Sequence, residues 1–234
     1  MTAKSAILEQ EVKLTARDVA TLEQISQDPD IAARKNDPLW TSKSLVSTYV
    51  DTPDRALLQH RFGFRFRVDT KSGRWLACLK GEGEIVDGFS VRDEWEQIID
   101  HPVDRLSLLP DGDLRNQALT VAPGGEFLTP LVETAFLRRT LMITLDTSDE
   151  KCLVELALDQ GEIRAGGKML PLFEVELECK AGATDAMLRF SQMLRHRYHL
   201  TPSRHSKFAT GLRLLNQGSE NLRELSVSAK VPSG

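Results

Sequence analysis

Residues 7–14 read ILEQEVKL, and apolar side chains alternate there with charged or amide side chains. Successive side chains of a β-strand point to opposite faces, so this alternation predicts a strand. One face would carry Glu9, Glu11 and Lys13, while Val12 and the neighbouring leucines would lie on the other face. The predicted strand therefore has one ionic face and one apolar face.

The same alternation recurs along the chain and gives about eight strands. The further segments are residues 45–51, 64–68, 75–80, 91–99, 136–145, 153–159 and 172–179. Glycine-containing stretches at residues 71–73 and 161–167 predict tight hairpins, so the strands are expected to be mainly antiparallel. Helices are predicted at residues 15–27, 104–109, 114–120, 184–198 and 206–215.

The ionic faces carry runs of like charge, such as Arg65 with Arg67 and Glu174 with Glu176 and Glu178. Such faces could be the solvated outside of a sheet. Like charges side by side repel unless a counter-ion lies among them, which favours a second interpretation. In that interpretation the fold is α+β: a closed eight-stranded antiparallel β-barrel with a charged lumen and with helices packed on the outside.

The composition limits the class of protein. The chain has 234 residues, 41% of them hydrophobic, and 30 basic residues against 34 acidic ones give a net charge of −4. This excludes a wholly disordered chain and a global basic field for nucleic acid. No apolar run approaches the roughly 20 residues of a membrane span, so we expect no membrane partner. The widely spaced Cys78, Cys152 and Cys179 form no metal-binding pattern and predict structural thiols in a reducing compartment, the cytoplasm.

A lumen lined by many ions cannot be packed dry, because each unpaired buried charge costs several kcal/mol. Arginine and lysine side chains supply clamps for phosphate oxygens. Carboxylates supply hard oxygen ligands that suit Mg²⁺ or Mn²⁺. A triphosphate or polyphosphate bound together with Mg²⁺ or Mn²⁺ would satisfy both sets of side chains.

The order of these motifs resembles the CYTH family, also called triphosphate tunnel metalloenzymes. The shared features are the ExExK pattern of residues 9–13, the segments 49–53, 79–81, 154–162, 173–178 and 206–208, and the single positions Arg65, Arg67, Arg92, Glu94, Glu96 and Arg138. The resemblance covers residues 7–215 and is closest to bacterial inorganic triphosphatases. It implies an eight-stranded tunnel that hydrolyses inorganic triphosphate, or a related triphosphate, to diphosphate and phosphate.

The resemblance also implies roles for individual residues. The catalytic set is Lys13, Glu9 and Glu11. The side chains expected to bind substrate are Lys13, Arg65, Arg67, Lys80, Arg92, Arg138 and Lys207. The expected metal ligands are Glu9, Glu11, Glu174, Glu176 and Glu178, with supporting carboxylates at Glu94, Glu96, Glu155 and Asp159. Two candidates for the base remain open, a metal-linked glutamate and a deprotonated Lys13 whose pKa would have to be lowered by surrounding cations.

Three alternatives remain open at this stage. The same tunnel could serve a thiamine triphosphatase or a class IV adenylate cyclase, or it could bind polyphosphate without catalysis. Residues 1–215 are predicted to form a single domain, and residues 216–234 to form a flexible tail. Relatives often carry a downstream helical CHAD domain, so this chain is expected to be either a stand-alone or a truncated version. The outer helices could also pair two copies as a homodimer.

Overall fold

A computed structural model describes residues 6–124, 127–146 and 151–216. Its strands are β1 (Ile7–Thr15), β2 (Thr41–Asp51), β3 (Phe62–Asp69), β4 (Arg74–Gly81), β5 (Ile85–Val86), β6 (Phe89–Ile99), β7 (Thr129–Asp146), β8 (Lys151–Ala165), β9 (Lys168–Ala181) and β10 (Thr201–Pro202). Its helices are α1 (Val19–Ser26), α2 (Pro29–Arg34), α3 (Ala56–Gln59), α4 (Asp113–Val121), α5 (Asp185–Tyr198) and α6 (207–216). A short 3₁₀ turn covers Leu106–Leu108.

The eight long strands close into an antiparallel barrel, as predicted. They are hydrogen-bonded in the order β1-β9-β8-β7-β2-β3-β4-β6, and β6 returns to β1. The closure depends on β1, whose first half pairs with β6 and whose second half pairs with β9. The two short strands β5 and β10 lie outside this ring, paired with β6 and β1 respectively.

The outward faces of the strands are apolar and are covered by helices. One core cluster joins β1, β7, β8 and β9 to α1 and α5, with Val154, Leu156 and Leu177 fully buried. A second cluster lies between β3, β4 and α4, where Leu79 and Ala118 are fully buried. The barrel therefore buries its apolar faces outward and keeps its ionic faces for the lumen.

Local sequence signals explain several of the element ends. The Asp18 side chain accepts a hydrogen bond from the Thr21 N–H and caps α1. Gly166 and Gly167 have positive φ and form the tight β8–β9 turn. Gly161 lies inside β8 rather than in that turn, and an added Cβ there would lie 2.1 Å from the Ala135 carbonyl oxygen. The hairpin is confirmed, but its tip is shorter than residues 161–167.

The helices show where the sequence prediction was incomplete. The predicted helix at residues 104–109 is only a 3₁₀ turn, whereas those at 114–120 and 184–198 are confirmed as α4 and α5. The helices α2 and α3 were not predicted. Within the described ranges, none of the helices is long and apolar enough to cross a membrane. Residue 216, the first residue of the predicted tail, belongs to α6, and residues 217–234 lie outside the described residues.

Candidate active site

The barrel lumen collects the charged side chains that the alternation assigned to one face. The strand register places Lys13 opposite Glu176 and Glu11 opposite Glu178. On the next strand pair, Asp159 lies opposite Glu174. A cavity in the lumen is lined by Glu9, Glu11, Lys13, Tyr49, Arg65, Arg67, Cys78, Lys80, Arg92, Arg138, Glu176, Glu178 and residues 206–208, among others. The predicted ionic lumen is therefore present.

The carboxylates of β1 form one group with cations from β4 and β6. The Lys80 Nζ lies 2.7 Å from Glu9 Oε1, and the Arg92 Nε lies 3.1 Å from Glu9 Oε2. Arg92 and Lys13 also contact Glu11. Burial alone would raise the pKa of Glu9, but Lys80, Lys13 and Arg92 outweigh burial and hold this pKa well below its usual range. Glu9 is therefore ionised at neutral pH.

A second group joins β8 and β9 to the first turn of α6. The Lys207 Nζ contacts Glu174 and lies 2.6 Å from Glu176 Oε1 and 2.9 Å from Asp159 Oδ2. Arg138 binds both oxygens of Asp159 at 2.7 Å and also contacts Glu176. One oxygen from each of the three carboxylates lies within 4.8 Å of the others. These buried hard-oxygen donors fit Mg²⁺ or Mn²⁺.

Arg65 and Arg67 differ from the other lumen cations because no carboxylate in the described residues forms an ion pair with either. The Arg65 Nη1 donates to the Tyr49 hydroxyl over 3.3 Å, and its buried Nε has no partner among those residues. The Arg67 Nε donates to Ser47 Oγ over 3.0 Å. Burial, with the charges of Arg65 and Arg138, lowers the pKa of Arg67 to about 10. Strand β3 therefore presents two positive charges to the lumen, and an anion could neutralise them.

The structure contradicts the idea that surrounding cations lower the pKa of Lys13. Burial acts in that direction, but the carboxylates of Glu176, Glu9 and Glu174 outweigh it and raise the pKa of Lys13. Lys13 lies in contact with Glu11 and 3.7 Å from Glu176. These surroundings therefore favour the protonated form of Lys13.

Of the four predicted supporting carboxylates, Asp159 is a central member of the second group, whereas Glu94, Glu96 and Glu155 lie outside that group. Glu94 lies 3.0 Å from Lys80 and accepts a hydrogen bond from the Cys78 thiol. Burial and the charge of Glu94 raise the pKa of Glu96 to about 7. Glu155 lies opposite Glu178 in the β8–β9 ladder, and Glu178 is paired with Lys180. These last two carboxylates are separate from the Asp159 group.

The sequence prediction missed the uncharged side chains of the lumen. The Tyr49 and Phe208 rings are stacked, with centroids 4.9 Å apart, where α6 enters the barrel. The Phe136 ring lies within 5.6 Å of the Arg67 and Arg138 guanidinium groups. The alternation itself could have placed Tyr49, because it has the same parity as Ser47 on β2. Phe208 could not be placed this way, since it lies on a helix.

Comparisons with known proteins agree with this architecture. The family model for the CYTH domain matches residues 8–212. The inorganic triphosphatase of Haemophilus influenzae is 28% identical over 150 residues, which cover 64% of this chain and 40% of that relative. The chain therefore matches less than half of the length of that relative.

Solved structures show the same fold at low sequence identity. A putative adenylyl cyclase from Hippeastrum, described as having a dominant triphosphatase activity, has a TM-score of 0.63 and 18% identity, covering 88% of this chain and 95% of that one. A putative adenylate cyclase from Bacillus halodurans has a TM-score of 0.53 and 15% identity, covering 86% and 95%. At these identities the likeness establishes the fold alone.

Proposed function

Because the chain belongs to the CYTH domain family, we propose that it hydrolyses inorganic triphosphate to diphosphate and phosphate within the barrel lumen. The name of the Haemophilus influenzae relative supports this choice of substrate. The hydrolysis would depend on Mg²⁺ or Mn²⁺. The reaction breaks one phosphoanhydride bond and consumes one water molecule.

The proposal rests on Arg65 and Arg67, whose guanidinium groups form no ion pair with any carboxylate of the described residues. Every other cation of the two lumen groups already contacts at least one carboxylate. Arginine forks match phosphate oxygens in geometry and charge. A triphosphate bound against β3 would therefore place negative charge beside both guanidinium groups, which a neutral ligand could not do.

The carboxylates provide the place for a divalent ion. Asp159, Glu174 and Glu176 already lie close enough to share one, and Glu9 and Glu11 provide further oxygen donors. When bound, such an ion would neutralise charge that develops on phosphate oxygens. Glu178 is a less direct candidate because Lys180 engages it. We propose that the individual metal ligands come from this set of carboxylates.

Side chains of the lumen would position the phosphates, and only one of the two candidate bases remains. Lys13, Lys80, Arg92, Arg138 and Lys207 would bind the remaining phosphate oxygens and stabilise the charge of the transition state. A protonated Lys13 cannot accept a proton from water. Of the two bases considered, a metal-linked glutamate is therefore the proposed acceptor for the proton of the attacking water.

Phosphate release from tripolyphosphate, ATP and thiamine triphosphate tests this function. Each substrate is assayed with Mg²⁺, with Mn²⁺ and with a chelator, and cyclic AMP is measured in the ATP reaction. We expect metal-dependent turnover that is fastest with tripolyphosphate. Preference for thiamine triphosphate, formation of cyclic AMP, or tight polyphosphate binding without turnover would each contradict the proposal and identify one of the alternatives.

The variant Glu9→Ala tests the site as well as the activity. We expect turnover to fall by at least about 100-fold, the size of effect typical for a catalytic acid–base group. Glu162→Ala is the matched control, because Glu162 contacts Arg164 on the same sheet but does not line the lumen cavity. Circular dichroism would confirm that both variants fold. Full activity of Glu9→Ala would remove Glu9 from the site.

A further inference from the structure

Two thiols face each other on the outer side of the barrel wall. Cys152 lies at the start of β8 and Cys179 near the end of β9, and their Sγ atoms are 3.7 Å apart. Both side chains belong to the apolar cluster beneath α1 and α5. Cys78 lies apart from them, because its thiol lines the lumen and donates to Glu94.

A break in the strand register brings the two thiols together. Cys179 lies opposite Val154, and Leu153 lies opposite Ala181, so Lys180 is an extra residue without a partner on β8. Such a bulge bends its strand and increases the local twist. Cys152 and Cys179 are diagonal neighbours on one face of the sheet at this bulge. Their proximity is therefore a property of the backbone rather than of one flexible side chain.

The two cysteines differ in their access to solvent. Cys152 is fully buried, whereas Cys179 is partly exposed among the described residues. The Cys179 thiol lies 3.5 Å from the Gly182 carbonyl oxygen, at the surface end of the pair. Burial and the neighbouring Cys179 also raise the pKa of Cys152 to about 12. An oxidant from solvent would therefore meet Cys179 first.

We propose that Cys152 and Cys179 form an oxidisable dithiol, in which Cys179 is the residue attacked and Cys152 closes the disulfide. With a hydroperoxide as oxidant, the Cys179 sulfur takes one oxygen atom and becomes a sulfenic acid, and the hydroperoxide leaves as the alcohol or water. The Cys152 sulfur then bonds to the Cys179 sulfur. The sulfenic oxygen leaves as water with the thiol proton of Cys152, and a dithiol reductant reverses the product.

The disulfide would crosslink β8 and β9 at the open end of their hairpin. The opposite end of that hairpin is already fixed by the turn at Gly166 and Gly167. The bond would close a loop from residue 152 to residue 179, which restricts the unfolded chain. Since the lumen faces of the same two strands carry Asp159, Glu174 and Glu176, oxidation would stabilise the strands that hold this carboxylate group.

Oxidation of the fully reduced protein tests the proposal. The protein is treated with hydrogen peroxide, the peroxide is removed, and free thiols are counted after denaturation. We expect one free thiol of the original three, a mass lowered by two hydrogens, and a proteolytic peptide pair joined through Cys152 and Cys179. Dithiothreitol should restore all thiols, and the oxidised form should unfold at a higher guanidinium concentration than the reduced form.

Three variants assign the roles. Cys78→Ala should lose both remaining thiols, whereas Cys179→Ala should form no crosslink. In Cys152→Ala, dimedone should label Cys179. If Cys152→Ala does not fold, the peptide map of the wild-type protein decides the question. Retention of all three thiols under conditions that oxidise free glutathione, a crosslink that includes Cys78 or joins two chains, or irreversible oxidation of Cys179 without a crosslink would overturn the proposal.

Discussion

Arg67 shows how one side chain can serve binding at the expense of stability. Its guanidinium group lies half-buried beside Arg65 and Arg138, and among the described residues only the Ser47 hydroxyl accepts a hydrogen bond from it. An uncompensated buried charge destabilises a folded protein. The residue therefore has a physical reason to be present only if an anion occupies the lumen for part of the time.

Replacement of Arg67 by methionine separates these two effects. We expect Arg67→Met to weaken tripolyphosphate binding by about 10- to 100-fold, the loss of one charge-assisted interaction. Its free energy of unfolding without ligand should be equal to or higher than that of the wild-type protein. Calorimetric titration and urea denaturation measure the two quantities. Arg74→Met, which changes an exposed residue of β4, is the control. Unchanged affinity for tripolyphosphate in Arg67→Met would contradict the proposed role of Arg67 in substrate binding.

Glu96, an exposed residue of β6 next to Glu94, gives the stability of the fold a pH dependence. Its pKa in the folded protein is about 7, against an ordinary value of 4.5. Since folding favours the neutral carboxyl, Glu96 contributes stability that is complete below pH 4.5 and is lost as the pH rises through 7.

Glu96→Gln should therefore be more stable than the wild-type protein at pH 8 and similar to it at pH 4.5. Urea midpoints measured across this range would show the difference growing between these two pH values. Glu84→Gln removes an exposed carboxylate elsewhere and serves as the control. A difference that does not change with pH would show that Glu96 has an ordinary pKa.

At the scale of elements, Asp28 joins three helices. Its Oδ1 accepts hydrogen bonds from the N–H groups of Asp30 and Ile31 and so caps α2. Its Oδ2 accepts from the Tyr198 hydroxyl and from Arg197, both at the end of α5, at 2.6 Å. Because α1 ends just before Asp28, this one buried carboxylate holds the outer helices against each other.

Asp28→Ala should lower the free energy of unfolding by about 2–4 kcal/mol, because it removes a cap and takes the acceptor from the buried Ile31 N–H and the half-buried Tyr198 hydroxyl. Asp18→Ala is the matched control, since it removes the cap of α1, which within the described residues has no hydrogen bond to α5, and should therefore cost less than Asp28→Ala. Chemical denaturation followed by circular dichroism measures both values. Equal losses in the two variants would show that the contacts with α5 contribute nothing.

The elements also show what could be predicted from the sequence. Strands with a period of two, such as β1 and β9, are predictable because one face is ionic and the other apolar over most of the central residues. Helix α2 has a recognisable start, an aspartate before a proline, but its six residues show no clear period. Strands β5 and β10 have two residues each, too few for any pattern, and only tertiary contacts define them.

The charged residues of the candidate site were predicted from the sequence, but the contacts between them were not. Alternation and the family resemblance together named the ionic residues that line the lumen. The raised pKa of Lys13 follows from which carboxylates surround it, and that depends on the register between β1 and β9. The proximity of Cys152 and Cys179 depends on a one-residue bulge, which the sequence does not mark.

At the scale of the whole molecule, Lys207 links the last described helix to the barrel. It compensates Asp159, Glu174 and Glu176, all of them buried. Lys207→Met should lower the free energy of unfolding without metal by about 3–5 kcal/mol, since it leaves buried carboxylates uncompensated.

Added Mn²⁺ should recover part of this stability, because the same oxygens could then bind the ion. Thermal unfolding with and without Mn²⁺ measures the effect, with the exposed Lys71→Met as control. A larger response to Mn²⁺ in Lys207→Met than in the control is expected. Equal responses in the two variants would show that this carboxylate group does not bind the metal.

The closure of the barrel through β1 has a consequence for biosynthesis. This strand leaves the ribosome before its two neighbours, β6 and β9, which lie about 80 and 165 residues later in the chain. Until both have been translated, the nascent chain exposes an unpaired strand edge with an apolar face, a state prone to aggregation. Protection of this segment during translation would then govern how much native protein a cell obtains.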